Sequence, residues 1–193
     1  MKTCGVLALQ GDFAAHCAAL ERVGACPLEV RNAEELRQCD GLIIPGGEST
    51  TMLKLMEFEG LTDALKEFAK QKPVYGTCAG VILLAKDVSN PYQPSLGVLD
   101  ISVERNAYGR QLDSRVARVK LADKELGGDD MEAVFIRAPI IRRTGPGVKA
   151  LASYQGDPVW IEQGCHVATT FHPELTLDQR NYLPVHRRFV NSL

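Results

Sequence analysis

The sequence has no long apolar run and no compositional break, and both absences limit what the chain can be. No stretch approaches the roughly 18 apolar residues of a membrane-spanning helix, and the apolar run at residues 6–9 has no charged leader region before it. Neither a secretory signal nor a membrane partner is expected. No Pro/Gly/Ser-rich stretch divides the 193 residues, of which 45% are hydrophobic. We expect one domain, residues 1–193, with one sizeable core.

Charge and cysteine spacing exclude further classes of protein. The net charge is -2, and lysine and arginine are spread along the chain without a basic stripe, so nucleic acid is not an expected partner. No C-x-x-C pair occurs, which indicates neither a zinc knuckle nor a redox dithiol. A reducing cytoplasm fits this usage best. The six cysteines are Cys4, Cys17, Cys26, Cys39, Cys78 and Cys165.

Predicted strands and helices alternate through the first half of the chain. Strands are predicted at residues 3–10, 28–31, 41–45 and 74–77, and helices at 12–22, 50–56, 61–70 and 79–86. This order predicts an α/β fold of three layers, a mostly parallel sheet with helices on both faces. The C-terminal half predicts antiparallel additions to the sheet. Its β-rich stretches are 99–105, 114–121, 133–137, 148–154, 158–162 and 166–170, and a final helix covers 178–191.

Residues 76–80 read Gly-Thr-Cys-Ala-Gly, and they stand between a short β-prone run and a run of helix-forming aliphatic residues. Glycines on each side of a small reactive residue are typical of a nucleophile elbow, a tight strand-to-helix turn without room for bulky side chains. The N–H groups at the start of the following helix can also receive an oxyanion. Cys78 is therefore a candidate nucleophile. The alternative is a buried structural cysteine between two turn glycines.

Two further loops follow predicted strands at the same edge of the sheet, where function collects in such folds. Residues 9–12 read Leu-Gln-Gly-Asp, and residues 45–50 read Pro-Gly-Gly-Glu-Ser-Thr. The adjacent glycines of the second loop free backbone N–H groups to point at a ligand, where they could complete an oxyanion hole. Taken alone, this loop could also be a plain connection into a helix capped by Ser49 or Thr50.

A cysteine nucleophile needs a base, and the chain has four histidines. His16 lies in the first predicted helix and His186 in the last, and both are expected at the surface. His166 follows Cys165, but the pair lacks the further ligands that a metal site requires. The remaining histidine, His172, is the best candidate base.

His172 ends a predicted strand and precedes Pro173 and Glu174. Because proline disfavours helix at the residue before it, His172 and Glu174 are expected in extended chain. Their side chains then project to the same side, about 6.5–7 Å apart along the backbone, so that the carboxylate can orient the imidazole. The alternative for His-Pro-Glu is a turn with an exposed acid.

Together these segments resemble the class I (triad) glutamine amidotransferases. More narrowly, the chain is similar over nearly its whole length to the glutaminase subunits of pyridoxal 5'-phosphate synthase. The resemblance implies a single glutamine amidotransferase domain without cofactor or metal, in which Cys78 is the nucleophile, His172 the general base and acid, and Glu174 the residue that orients His172. The motifs lie at residues 5–11, 45–51, 76–80, 103–111, 135–139 and 171–175.

The resemblance also implies a binding site for the substrate, L-glutamine. Backbone N–H groups of Ala79 and Gly47 would hold the oxyanion, and Gln10 would lie at an edge sensitive to docking. Arg105 could bind the substrate α-carboxylate, or it could form a surface ion pair. The residues expected to border glutamine are Gly47, Glu48, Ser49, Arg105, Ile136 and Arg137.

A partner is implied as well, namely a pyridoxal 5'-phosphate synthase subunit that receives the ammonia and forms a ring-shaped core decorated by glutaminase subunits. Two rivals remain. A glutaminase subunit of another synthase, such as that for imidazole glycerol phosphate, should lack the segments at 104–106 and 136–139. A non-catalytic cysteine module of the ThiJ/PfpI type leaves the His172-Pro-Glu174 sequence unexplained.

Overall fold

A long mixed sheet organises the chain in the computed structural model, which describes residues 2–106, 114–176 and 179–193, without the side chains of 179–183. The strands are β1 (Thr3–Leu7), β2 (Cys26–Val30), β3 (Gly41–Ile44), β4 (Val74–Thr77), β5 (Ala85–Ser89), β6 (Leu99–Glu104), β7 (Ser114–Leu121), β8 (Asp130–Ile136), β9 (Ile140–Thr144), β10 (Val148–Tyr154), β11 (Asp157–Gln163) and β12 (His166–Thr169). The α-helices are α1 (Phe13–Arg22), α2 (Ala33–Arg37), α3 (Ser49–Phe58), α4 (Leu61–Gln71), α5 (Ala79–Leu84) and α6 (Gln179–Asn191), and 3₁₀ turns lie at Lys124–Leu126 and Pro173–Leu175.

Within the described ranges the large sheet has the strand order β2-β1-β3-β4-β12-β11-β10-β7-β8. Strands β2, β1, β3, β4 and β12 run parallel to one another. From β12 onward, each neighbouring pair is antiparallel. The strands β5, β6 and β9 form a second, smaller sheet. The predicted α/β fold with antiparallel additions from the C-terminal half is confirmed.

Strand β3 shows how the sheet separates two hydrophobic cores. Leu42 and Ile44 pack into one core, whereas Ile43 between them packs into the other, because successive side chains of a strand point to opposite faces. The first core also holds residues of α2, α3, α4 and α5, and the second holds residues of α1 and α6. Helices therefore cover both faces, as the alternating sequence pattern predicts. No described helix has the length and apolar character needed to cross a membrane.

Several predicted boundaries are wrong, and for α5 the reason is a strand pairing with residues distant in sequence. The fourth predicted helix was expected to reach residue 86, but α5 ends at Leu84 because Ala85 pairs with Leu99 in the small sheet. The first strand ends at Leu7, and the chain then turns into the loop that carries Gln10. The short elements α2, β5 and β9 were not predicted. Of the predicted segments, residue 178 and residues 107–111 lie outside the described ranges.

Candidate active site

Cys78 occupies the turn between β4 and α5, at the carboxyl end of the parallel part of the sheet. Its backbone φ is 48° and its ψ is -102°. A positive φ is unusual for a residue with a Cβ, and such strain is held only where the surrounding structure enforces it. The backbone N–H of Cys78 donates to the carbonyl of Thr169 at 2.8 Å, which ties the turn to β12. The arrangement is that of a nucleophile elbow.

The elbow depends on two glycines because the backbones around it approach closely. A Cβ at position 80 would lie 2.3 Å from the carbonyl oxygen of Ile44, and a Cβ at position 76 would lie 2.7 Å from the backbone of Gly80. Neither distance is compatible with a side chain unless the backbone moves. Gly76 and Gly80 therefore let the start of α5 pack directly on β3 and β4, with Cys78 between them.

His172 and Glu174 form a buried pair beside the elbow. Nδ1 of His172 donates to Oε1 of Glu174 at 2.7 Å. The expected extended conformation is wrong for Glu174, because Pro173–Leu175 forms a 3₁₀ turn. Proline tolerates the first position of such a turn, where no N–H is needed. The turn brings the carboxylate against the imidazole directly, and Glu174 is only 2% exposed, so the alternative of an exposed acid is also wrong.

The pair is electrostatically coupled. Burial opposes the charge on each group, but His16 and His172 nevertheless hold the pKa of Glu174 well below its usual range. Burial likewise opposes the charge on His172, but interactions with Cys78 and with Glu174 raise its pKa to about 10. Nε2 of His172 is buried and has no hydrogen-bond partner among the described residues. Because the interaction with Cys78 raises the pKa of His172, this nitrogen is the candidate for proton exchange with the thiol.

The prediction that His16 and His186 lie at the surface is wrong, since both side chains are fully buried. Nδ1 of His16 lies 3.0 Å from Nε2 of His186. Nε2 of His16 lies 3.1 Å from Oγ1 of Thr77 and 3.4 Å from Oε1 of Glu174. The sequence of α1 holds a signal for this burial. His16 stands three residues before Ala19 and four before Leu20, a spacing that places all three on one face of a helix, and these are the buried residues of α1.

The residues expected at the substrate site line one pocket of about 390 Å³. Glu174 is not among them, because it lies behind His172. A larger cavity of about 600 Å³ lies elsewhere, between α6 and β11, and contains none of the predicted site residues. The smaller pocket is the candidate site, since it holds the elbow cysteine. Its predicted residues are Gln10, Gly47, Glu48, Ser49, Cys78, Ala79, Arg105, Ile136, Arg137 and His172.

One wall of the pocket is organised by Glu48. Its carboxylate accepts a hydrogen bond from the backbone N–H of Thr51 at 2.7 Å and so caps α3, in place of the Ser49 or Thr50 cap considered from the sequence. Its own backbone N–H donates to Oε1 of Gln10 at 2.9 Å. Arg105 lies 3.5 Å from the Glu48 carboxylate, with its side chain 13% exposed. Gln10 and Arg105 thus both hold the loop that follows β3.

The same loop also approaches the candidate base. A Cβ at position 46 would lie 2.3 Å from Cε1 of His172, so Gly46 leaves the space that the imidazole occupies. The thiol of Cys78 donates to the carbonyl of Ile136 at 3.6 Å. Arg137, the next residue, is exposed at the pocket with a φ of 43°. Three segments that are distant in sequence therefore converge around Cys78.

An α/β sheet with a cysteine at a strained strand-to-helix turn, and a His–Glu pair beside it, is the arrangement of the class I glutamine amidotransferases. A solved structure described as a glutamine amidotransferase shares this fold, with a TM-score of 0.87 and 45% identity over 98% of this chain and 97% of that one. The chain belongs to the SNO glutamine amidotransferase family, whose model matches residues 6–193.

Curated relatives are similar over nearly their full length. Pyridoxal 5'-phosphate synthase subunit PdxT of Solibacter usitatus is 60% identical over 100% of both chains. The subunit of the same name from Koribacter versatilis is 53% identical over 98% of this chain and 94% of its own. The family expected from the sequence motifs is confirmed.

Proposed function

We propose that this chain hydrolyses L-glutamine to L-glutamate and ammonia through a thioester on Cys78, and supplies the ammonia to a pyridoxal 5'-phosphate synthase subunit. The observation that carries the proposal is the buried 2.7 Å contact between His172 and Glu174 beside a strained elbow cysteine. Family membership and the name shared by the relatives support the substrate and the partner. The whole chain, residues 1–193, acts as one glutamine amidotransferase domain.

The first half of the reaction forms the thioester. Transfer of the Cys78 thiol proton from the Ile136 carbonyl to Nε2 of His172 gives a thiolate beside an imidazolium, the form that the raised pKa of His172 favours. The thiolate attacks the side-chain carboxamide carbon, and backbone N–H groups of Ala79 and Gly47 stabilise the oxyanion of the tetrahedral intermediate. The imidazolium then donates its proton to the departing nitrogen. The C–N bond breaks, ammonia leaves, and a glutamyl thioester remains on Cys78.

The second half releases glutamate. Neutral His172 removes a proton from water, and the resulting hydroxide attacks the thioester carbon. A second tetrahedral oxyanion collapses with breakage of the C–S bond, and Cys78 is regenerated. Glu174 stays ionised throughout and stabilises the imidazolium each time it forms, since a buried charge beside an opposite charge favours the protonated ring. The net change is glutamine plus water to glutamate plus ammonia.

Glutamine enters the pocket with its α-carboxylate toward Arg105 and its remaining contacts on Glu48, Ser49 and the Ile136-Arg137 segment. A carboxylate would compete with Glu48 for the Arg105 guanidinium, which lies 3.5 Å from it. The partner is a ring-shaped synthase core in the cytoplasm, and it docks at the edge that carries Gln10. Because Gln10 accepts from the Glu48 N–H, docking there reaches the oxyanion loop directly.

The test combines covalent labelling with product analysis. A glutamine analogue that alkylates thiols is expected to label Cys78 and no other cysteine, and Cys78→Ala is expected to lose both the label and glutamate release. Cys165→Ala is the matched control, since it removes an exposed thiol and should leave labelling intact. Labelling at a different cysteine would refute the assignment. Glutamate release should be slow for the isolated chain and faster with the synthase subunit, and full activity alone would contradict the docking proposal.

A further inference from the structure

We propose that His16 is a positioning residue for the reaction, and that His186 orients it so that its Nε2–H group faces Glu174. This inference rests on the proposed glutaminase function. His16 touches neither glutamine nor the pocket, because it lies behind Glu174 and is not among the residues that line the pocket. It acts through the carboxylate and through the residue that precedes the elbow cysteine.

The contacts of His16 join the two halves of the site. On one side its Nε2 is 3.4 Å from Oε1 of Glu174, the same oxygen that accepts from His172. That nitrogen is also 3.1 Å from Oγ1 of Thr77, which is adjacent to Cys78 in the chain. A single ring nitrogen therefore contacts both the orienter of the base and the strand end that carries the nucleophile.

The chemistry of the carboxylate decides which nitrogen of His16 carries a proton. An unprotonated Nε2 would direct its lone pair at Glu174, whose carboxylate offers no donor. Because a lone pair facing a buried carboxylate is repelled, we assign the proton to Nε2, which then donates to Oγ1 of Thr77 at 3.1 Å and lies 3.4 Å from Oε1 of Glu174. In a neutral ring with Nε2 protonated, Nδ1 of His16 is an acceptor. The Nε2–H group of His186 therefore donates to it in the 3.0 Å contact. The N–H groups therefore run in one direction: His186 donates to His16, and the N–H group of His16 faces Glu174.

The burial of the carboxylate gives this contact its weight. Glu174 is 2% exposed, and its Oε2 is buried without a hydrogen-bond partner among the described side chains. Oε1 thus receives both known contacts, one from each histidine. A buried carboxylate with a single partner is expensive to keep ionised, so a second donor on the same oxygen favours the ionised form. Loss of His16 is expected to weaken the acceptor on which the orientation of His172 depends.

The ring of His16 is also fixed by packing. Tyr75 meets His16 and His186 edge-on, with ring centroids 6.1 Å and 5.8 Å away. The Tyr75 hydroxyl lies 2.9 Å from Oγ1 of Thr169, and it is the ring of Tyr75 that contacts the two histidines. Tyr75→Phe therefore removes a buried hydrogen bond from the same core without changing the donors to Glu174. It is the matched control for loss of stability alone.

The direct test is ¹⁵N NMR of the full-length protein labelled at histidine, with resonances assigned from single variants. Nε2 of His16 is expected to be protonated in the wild-type chain, and the Nδ1–H proton of His172 to resonate far downfield through its bond to Glu174. An unprotonated Nε2 on His16 would overturn the inference. This measurement needs no variant of His16 to fold, and it does not depend on glutamine turnover.

The kinetic test uses two replacements of His16. His16→Leu is expected to lower kcat about 10- to 100-fold, by analogy with loss of the outer partner of a metal-binding imidazole, with KM little changed. It should also shift the downfield His172 resonance. His16→Gln keeps a donor near the Nε2 position and should recover most of the activity. Equal kcat values for His16→Leu and Tyr75→Phe, with the His172 resonance unmoved, would refute the role.

The two proposals fail in different ways. If the wild-type chain neither hydrolyses glutamine nor accepts a glutamine-analogue label at Cys78, the proposed function fails. If the wild-type chain is active and His16→Leu is as active as Tyr75→Phe, the function stands and the role of His16 fails.

Discussion

Glu174 shows how opposing forces set the state of a single residue. Burial raises the pKa of a carboxyl group because it penalises the charged form, whereas nearby donors and positive charges lower it. In this chain the second effect wins, since two histidines contact the same carboxylate oxygen. The result is a fixed negative charge behind His172, which itself lines the pocket that holds Cys78. A neutral side chain of the same shape could not replace that charge.

Glu174→Gln isolates the charge from the shape of the side chain. We expect the pKa of His172 to fall from about 10, because the amide no longer stabilises the imidazolium. We expect kcat for glutamine hydrolysis to fall about 10²- to 10⁴-fold, as when the carboxylate partner of another catalytic imidazole is neutralised. The measurements are an NMR titration of His172 and the steady-state rate.

Glu162→Gln serves as the control for that prediction. Glu162 also pairs with a cation, Arg188 at 2.8 Å, but it lies away from the candidate site. Glu162→Gln should leave the pKa of His172 and kcat for glutamine hydrolysis unchanged. An unchanged His172 titration in Glu174→Gln would show that the carboxylate does not set its pKa.

At the scale of elements, the short helix α5 has an unusual role. All six of its residues are buried, and its start packs on the carbonyl of Ile44 in β3. A helix of this length gains little stability from its own hydrogen bonds, so its position comes from the strands beneath it. The strained φ of Cys78 is maintained by the same packing. Stability of the elbow and geometry of the nucleophile are therefore linked.

Gly80→Ala tests this link. Its Cβ would lie 2.3 Å from the Ile44 carbonyl oxygen, so α5 must shift away from β3. We expect the free energy of unfolding to fall by about 1–3 kcal/mol, the usual effect of overpacking, although alanine is the better helix former. Labelling of Cys78 by a glutamine analogue should slow as well. Urea unfolding and labelling rates measure the two effects.

The matched control replaces a glycine in open space. Gly24 has a φ of +82° and no heavy atom within 4 Å of the position a Cβ would take. Gly24→Asn meets no neighbour, and asparagine tolerates a positive φ better than most residues. It should destabilise less than Gly80→Ala and leave labelling at the wild-type rate. Equal losses in the two variants would mean that the close approach at Ile44 is not what constrains position 80.

At the scale of the whole molecule, the two hydrophobic cores lie on opposite faces of one sheet and share its strands. Cys4 belongs to the core beneath α1 and α6, and Cys39 belongs to the core beneath α3 and α4. Burial raises the pKa of Cys39 to about 11, and burial raises the pKa of Cys4 further still. Since the thiolate is the reactive form, both thiols should resist modification at pH 8 while the chain is folded.

If residues 1–193 form one domain, the thiols of Cys4 and Cys39 become reactive over the same range of urea concentration. We expect Cys4 and Cys39 to be alkylated with the same urea midpoint, measured by mass spectrometry of their peptides. The exposed Cys26 and Cys165 are internal controls and should react without urea. Two separate midpoints would contradict the single-domain proposal, because the two faces would then unfold independently.

Features carried by neighbouring residues were predictable from the sequence. The alternation of strands and helices follows from local hydrophobic periods, and the elbow follows from glycines two residues to each side of Cys78. The loop after β3 was recognised from its adjacent glycines. His172 was separated from the other histidines because Pro173 and Glu174 follow it. Each of these signals lies within a few residues of the chain, where steric rules act directly.

Other features depended on residues that are distant in sequence. The conformation of Glu174 was predicted as extended and is a 3₁₀ turn, because the turn places the carboxylate against two imidazoles. The end of α5 was decided by pairing of Ala85 with Leu99. Local propensity cannot anticipate either result, since the partner that stabilises each conformation is not nearby in the chain.

The amino-acid sequence by itself determined the family, the order of the longer elements and which cysteine stands at a turn. The tertiary structure alone decided that His16 and His186, 170 residues apart, meet in the core behind Glu174. The physical reason is that a buried polar group is stable only with a partner. Two histidines on separate helices become each other's partners only when α1 and α6 pack on the same face of the sheet.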